Sequence, residues 1–310
     1  MKKLITILSF ICLQTVVAQN SEIKEVEQLV TSYISPLPNA LGAGLNNSWW
    51  TTAKPHKKLG FDVSLSITPI IIPDADKSFN IGNEGSFTGG KTATIFGGLN
   101  EGGAVNYGTH SINMPHGLGT GFVATPMLQA GIGLPLKTEV DFRYSPELKL
   151  KSFNLGLIGV GVKHDLLQWI PVLNKVPVDL SIMAGHTRLN TGFDIQDQGI
   201  DLNVQATTIN LLLSKKVALL TAYAGLGYNH NSSNVAITLD EQNTSYLQSI
   251  ENVANVNLSE LTTIEFENHT DLKANIGARV QLTLLTINAS YTVTQSGYKL
   301  YTAGIGVSLR

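Results

Sequence analysis

Asp271-Leu272-Lys273-Ala274-Asn275-Ile276-Gly277-Ala278-Arg279-Val280-Gln281-Leu282-Thr283 decides the fold. Every second residue is apolar, and a strand sends successive side chains to opposite faces, so this segment has one oily wall and one wet, charged wall. The pattern resumes as Ile287, Ala289, Tyr291 and Val293 against Thr286, Asn288, Ser290 and Thr292. It returns as Tyr301, Ala303, Ile305, Val307 and Leu309 before the chain stops at Arg310. With 43% apolar residues, one such run arises by chance at about one start position in ten thousand. Three in succession, joined by very short turns, are not an accident of composition.

Outward from these strands the same signal recurs. Gly60 to Ile71 sets Phe61, Val63, Leu65 and Ile67 against Asp62, Ser64, Ser66 and Thr68, with Pro69 predicting a bulge or the strand's rim. Further strands are expected at 78–86, 91–98, 121–133, 137–145, 151–163, 177–190, 199–213, 216–230, 270–284, 286–295 and 298–309. That makes about twelve, within a range of roughly 10–14. With the first strand rising, the joints at 87–90, 134–136, 164–176, 214–215 and 285 share one end, and all but 164–176 are short. The longest, 99–120 and 231–269, fall at the other end. Short turns at one end and long loops at the other mark a barrel of the outer-membrane type, and an even strand count returns both termini to the short-turn side. Phe142, Tyr144, Tyr228, Tyr291, Tyr298 and Tyr301 sit near expected strand ends, where interfacial girdles form.

The ends and the composition agree. Lys2 and Lys3 precede an apolar stretch from Leu4 to Val17, and Val16-Val17-Ala18 suits cleavage, so the mature chain is expected to begin near Gln19. Cys12, the only cysteine, lies inside that leader, which leaves no disulfide and no thiolate ligand. Without the two leader lysines the chain has 19 basic against 23 acidic residues, which argues against a nucleic-acid partner. No other apolar stretch is long enough for a membrane helix, so a bilayer-spanning structure must be a closed barrel. The expected organisation is a signal peptide at 1–18, a helix with a Gly-rich plug-like segment at 19–58, and an all-β transmembrane antiparallel barrel at 59–310. In the second part, 22–34 reads as an amphipathic helix, and 36–58 as irregular chain carrying Trp49 and Trp50.

Certain strings carry a resemblance. Tyr33-Ile34-Ser35-Pro36, Leu59-Gly60-Phe61-Asp62, Pro73-Asp74-Ala75-Asp76-Lys77, and Gly161-Val162-Lys163-His164-Asp165 followed by Gln168-Trp169-Ile170-Pro171 resemble a family of Gram-negative outer-membrane β-barrel proteins known only as a domain of unknown function. The resemblance spans nearly the whole mature chain and implies a fold and a place in the outer membrane, but no activity. A looser similarity of architecture is to the long-chain fatty-acid transporters of outer membranes, which place a helix and a Gly/Asn-rich hatch before the first strand. Their Asn-Pro-Ala hatch motif is absent, with Thr52-Ala53-Lys54-Pro55 in its place. Fold similarity of this kind does not fix function.

The candidate chemistry is modest. Glu139, Asp141 and Arg143 alternate with Val140, Phe142 and Tyr144, which puts three charges on the lumen wall, and Asp271, Lys273 and Arg279 are expected to share it. Two readings stand open: a polar conduit or gate, and a static network filling a narrow barrel. His164 and Asp165 are expected to cap a short periplasmic helix through Leu166, Leu167, Trp169 and Ile170, stopped by Pro171. The favoured role is an anchor with Trp169 at the lipid headgroups, ahead of a partner-docking element. Asp74 and Asp76 read as an ordinary turn rather than a calcium loop, and the seven scattered histidines show no zinc spacing. In the long loop, Leu247, Ile250, Val253/Ala254 and Leu258 suggest a short helix over the mouth. No Gly-x-Ser-x-Gly elbow or phosphate-binding loop occurs, so neither an enzyme nor a cofactor is expected. The expected partners are outer-membrane lipid and, through the C-terminal strand, the barrel-assembly machinery. The leading functional expectation is passive transport of a small, hydrophobic molecule; the rival is a non-conducting structural or docking barrel, and a membrane-embedded hydrolase comes third.

Overall fold

The structure is a computed structural model, and it describes residues 24–82, 87–107, 110–150, 153–170, 176–195, 198–238 and 263–309. Two helices come first: α1 at 24–34 and α2 at Pro36–Leu45. Pro36 opens α2, where its missing N–H is one of the first-turn donors that have no helical acceptor in any case. Next comes β1 (Phe61–Ile71), followed by a separate four-stranded sheet of β2 (Ser78–Gly82), β3 (Phe87–Ala93), β4 (Ala104–Tyr107) and β5 (His110–Asn113). The rest of the chain supplies β6 (Phe122–Leu134), β7 (Thr138–Leu150), β8 (Phe153–Asp165), β9 (Asp179–Ile195), β10 (Gln198–Val217), β11 (Leu220–Thr238), β12 (Thr263–Leu282), β13 (Leu285–Thr294) and β14 (Lys299–Leu309).

These last nine strands and β1 form a closed antiparallel barrel of ten, with β1 sealing the ring between β14 (Phe61↔Leu309) and β6 (Phe61↔Ile132). The expected twelve is therefore corrected to ten. Segments 78–86 and 91–98 fail as barrel strands: β2 and β3 are only 5 and 7 residues long, β3 covers just the first three residues of 91–98, and the two pair with each other and with β4 rather than with a barrel strand. Pro69 makes neither a bulge nor a rim. It pairs with Ala124 of β6 and leaves only a gap in the β1–β14 ladder, whose register is the same on either side.

Joints 135–137, 166–178, 218–219 and 283–284 lie at one end of the ring. In the two-residue turns Ala218 and Thr283 adopt left-handed φ of 53° and 56°. The excursion 72–121 and the turn 295–298 lie at the other end. The expected leader, and the helical stripe at 247–258, fall outside the described residues. Among the described residues no helix is long and apolar enough to cross a membrane.

The burial pattern inverts along the strands. Near the short-turn end the barrel is inside out: Leu272, Ile276 and Val280 of β12 are 56%, 64% and 37% exposed, while Asp271, Lys273 and Arg279 are buried. In β10, Ile209, Leu211 and Leu213 are exposed and Thr208, Asn210 and Ser214 buried. Toward the long-connection end the same strand reverses. Leu202, Val204 and Ala206 become buried and Asp201 exposed, with Asn203 and Gln205 partly so. β12 does likewise, with Ile264 and Phe266 buried against exposed Glu265 and Glu267. The apolar interior of this upper part joins β9–β12 to Val26 of α1, Leu41 of α2, and Ile81, Phe87 and Val105 of the small sheet.

Candidate functional site

The interior of the ring is occupied by the chain's own N-terminal segment. Tyr33 of α1 donates its hydroxyl to the His116 carbonyl (2.9 Å) and accepts at its own carbonyl from the Ile95 amide (2.9 Å), so α1 sits at the long-connection mouth. Helix α2 is buried along most of its length. Residues 46–56 then descend to the short-turn end, where β1 begins. The even strand count was expected to leave both termini at the short-turn end. The barrel's own ends, Phe61 and Leu309, do lie together there, but ahead of β1 the chain runs back through the ring, and α1 lies at the opposite mouth.

Inward-facing side chains all round the wall hold this segment, by its backbone and by its side chains. Arg143 of β7 donates to the carbonyls of Leu45 and Asn47 (both 2.6 Å) and to Gln129 Oε1 (3.0 Å), and lies 3.6 Å over the Trp49 ring. Lys273 donates to the Asn46 carbonyl (2.5 Å), Gln129 to the Trp49 carbonyl (3.0 Å), and Ser181 to the Ala53 carbonyl (2.5 Å). Arg279 reaches Thr51 Oγ1 (3.1 Å), Asn46 donates to Asn231 (2.6 Å), and Asn47 bridges Thr302 and Thr292 (2.9 and 3.0 Å). These charges thus serve mainly the carbonyls of the segment rather than one another. Charged donors to carbonyls are among the stronger protein hydrogen bonds.

At the lower end, Glu139 Oε2 accepts from the His56 amide and faces His56 Nδ1 (both 2.7 Å), while its other oxygen accepts from Lys163 Nζ (2.6 Å). Asp141 is buried beside them and accepts from Gln129 (3.2 Å). Asp271, though inward-facing, belongs to another feature: it accepts from the amide (3.1 Å) and hydroxyl of Ser296 and so fixes the β13–β14 turn.

The expected periplasmic helix is, among the described residues, a single 3-10 turn, Leu167–Trp169, directly after β8 ends at Asp165. Asp165 does cap it, accepting from the Gln168 amide (3.0 Å), and pairs with Lys137 (3.6 Å). His164 Nε2 accepts from Trp169 Nε1 (2.9 Å). Indole N–H is a donor only, so Nε2 spends its lone pair on it, and Nδ1 faces Thr138 Oγ1 (2.8 Å), which engages both ring nitrogens. Trp169 is 66% exposed.

Sequence reasoning missed His56, Lys163, Gln129 and Ser308. For Lys163 the signal was present: it falls on the inward phase of β8, directly across the ladder from Glu139. His56 has no such signal, since it lies in irregular chain. It also missed why inward glycines occur. A Cβ on Gly185 would come within 2.6 Å of the buried Trp49 ring, so only glycine leaves that ring its place against the wall.

Ser308 Oγ lies 3.1 Å from His56 Nε2, opposite the Glu139 contact, so serine, imidazole and carboxylate stand in the order of a nucleophile, base and orienting acid. Ser308 is fully buried, however, and offers a substrate no approach in this arrangement. At the long-connection mouth, Tyr298 was expected in the aromatic girdle, but it is buried and donates to Asp76. Burial, then the Asp76 carboxylate, push its phenol far above the ordinary value. Burial likewise raises Tyr33, and Lys77 lowers the exposed Asp74 by hydrogen bond and charge.

Comparison with known proteins gives a fold-level picture. A family model described as "Family of unknown function (DUF6588)" matches residues 1–309. No curated protein matches. Among solved structures, the transport unit of the autotransporter AIDA-I from Escherichia coli is 10% identical, with 89% of this chain and 99% of that one covered and a TM-score of 0.39. The translocator domain of autotransporter NalP from Neisseria meningitidis is 13% identical (90% and 99% covered, TM-score 0.32). The Ralstonia pickettii toluene transporter TbuX is 14% identical (87% and 93% covered, TM-score 0.27). At such scores no residue role and no cargo passes from these proteins to this chain.

Proposed function

The chain belongs to DUF6588, a family of unknown function, and on that premise we propose that it is an outer-membrane barrel sealed by its own N-terminal segment, structural or partner-docking in its resting state and not an enzyme. The reading includes export by a cleaved leader and barrel assembly through β14. The inverted burial supports the membrane. The exposed apolar run on β12 from Leu272 to Leu282 suits the hydrocarbon core, whereas a water-soluble protein rarely leaves such a band uncovered. The reversal in β9–β12 then marks where the strands leave lipid and enter water, beneath a soluble-like chamber roofed by α1 and β2–β5.

The observation that carries the sealed state is the hold of Arg143, Lys273 and Glu139 on the backbone of residues 45–56. Four charge-assisted hydrogen bonds at ~1.5–3 kcal/mol each sum to roughly 6–12 kcal/mol before non-additivity. A spontaneously displaced segment is then rarer than about one molecule in ten thousand. Full-length protein in planar bilayers is expected to be electrically silent, and a variant lacking residues 20–56 to conduct. Steady conductance of the full-length chain equal to that of the deletion would overturn the reading.

One observation favours the second reading, gated passive transport of a small hydrophobic molecule. Leu29, Phe79, Ile81 and Phe87, with Glu25, Gln28, Ser32 and Asn80 among the rest of the lining, border a cavity of about 260 Å³ at the long-connection mouth, where a small molecule with an apolar body and a polar end would first lodge. Passage would still require residues 46–56 to move.

A further inference from the structure

We propose that His56, Glu139 and Asp62 form a binding site for one divalent transition metal of the zinc class, which staples the lower end of the threaded segment to the barrel wall. His56 Nδ1, Glu139 Oε2 and Asp62 Oδ1 lie within 4.8 Å of one another. The nitrogen is 2.7 Å from the glutamate oxygen and 4.0 Å from the aspartate oxygen. Tetrahedral zinc with bonds of about 2.0–2.2 Å separates its donors by roughly 3.3 Å. The first pair therefore opens and the second closes by less than about 1 Å, and the Glu139–Asp62 pair, no more than 4.8 Å apart, closes by at most about 1.5 Å, all within side-chain adjustment. One imidazole with carboxylates suits zinc better than calcium or magnesium, which take oxygen ligands.

A second feature points to a missing cation. Asp141, outside this trio, is only 1% exposed, and its Oδ2 has no hydrogen-bond partner; Asp62 Oδ1 has none either. Both carboxylates converge on one space. A Cβ on Gly131 would stand 2.5 Å from Asp62 Oδ1 and 2.6 Å from Asp141 Oδ1, with Glu139 Oε1 at 3.5 Å. The fixed cations nearby do not fill it. Lys163 Nζ is committed to Glu139, and the Arg143 guanidinium to Gln129 and to two carbonyls of the segment. Three carboxylates thus face two cations, and a buried carboxylate oxygen without a partner is costly. A divalent ion supplies the missing charge.

The surroundings suit a ligated imidazole. Ser308 Oγ, 3.1 Å from His56 Nε2, can accept as well as donate. When the metal takes Nδ1, the single ring proton moves by way of solvent from Nδ1 to Nε2, and Nε2–H then donates to Ser308 and fixes the ring, as second-shell partners of metal-bound histidines do. His56 also lines a vestibule of about 510 Å³ at the short-turn end, which gives an ion a way in. Lys54, Lys57, Lys58 and Lys137 line it too. Their field opposes a cation, so loading is slow and speeds up with ionic strength.

The test uses full-length protein in detergent, stripped with chelator and titrated with Zn²⁺ against a competing indicator, with Mg²⁺ as the oxygen-preferring control. One saturable Zn²⁺ per chain is expected, weakened at least tenfold by Asp62→Asn, with little Mg²⁺ bound. Gly131→Ala, whose added methyl fills the space between the two aspartates, provides a second variant should Asp62→Asn fail to fold, and is expected to weaken binding in the same way. X-ray absorption of the loaded protein should show one nitrogen with oxygen ligands. Absence of saturable Zn²⁺ binding, or binding that the folded variants leave unchanged (as for ions held by scattered surface histidines), would overturn the proposal.

Discussion

Replacing Arg143 with methionine should loosen the threaded segment without opening the barrel. The side chain keeps its bulk but loses two charged hydrogen bonds, to the carbonyls of Leu45 and Asn47, and its place over Trp49. The two bonds are worth ~1.5–3 kcal/mol each and a desolvated cation–π contact about 2. Water can reach a polar lumen and partly satisfy the freed carbonyls, and such contributions are not additive. The working figure is therefore set below the lower end of that sum (about 5 kcal/mol), at about 4 kcal/mol. Hydrogen exchange over residues 40–56, measured in nanodiscs, reads this directly. Local opening should become roughly a thousandfold more frequent, at about 1.4 kcal/mol per decade, while the amides of β1, β13 and β14 stay as protected as in the parent. Exchange within a factor of ten of the parent, in an intact barrel, would refute the reasoning, because the segment would then be held by shape alone.

Two further outcomes follow from the same contacts. Gly185→Val places a side chain against the buried Trp49 ring; overpacking of this kind costs ~1–3 kcal/mol, and Trp emission should shift to the red. Unchanged emission would show that the ring has room the structure does not give it. The Tyr298 phenol is held above its ordinary value of 10.0 by burial and by Asp76. Its folded value being the higher one, its contribution is whole below about pH 10 and is lost as pH rises through the folded value. Protease cleavage within 72–121 should therefore accelerate at high pH in the parent but not in Tyr298→Phe, and an equal acceleration in both would remove Tyr298 as its cause.

Much of the barrel was legible because outward apolar and inward polar residues alternate along the stretch of β12–β14 from Leu272 to Leu309, joined by short turns. The upper halves of β9–β12 were harder. In β10 the alternation continues through Leu202 and Ile209, but the apolar side changes from inward to outward. Periodicity reports that a strand has two faces and not which one meets water. The excursion 72–121 misled for a related reason: β2 and β3 alternate locally but pair with each other and with β4, which local pattern does not reveal. At the candidate site, Glu139, Asp141, Arg143, Lys273 and Arg279 were visible as inward charges. The partners of Arg143 and Lys273 were not, because backbone carbonyls of residues 45–47 leave no mark in a sequence. The contact of His56 with Glu139 and Ser308 joins positions 83 and 252 residues apart, and only closure of the ring brings them together.

The central claim is that this chain is a barrel in lipid whose strands emerge into water partway along. Cys12 is the only cysteine, so single cysteines on the outward phase of β10 can be read one at a time in intact outer membranes. The account predicts fast labelling by a membrane-impermeant maleimide at Asn203 and Gln205 and protection at Ile209, Leu211 and Leu213. Uniform labelling along the strand would contradict it.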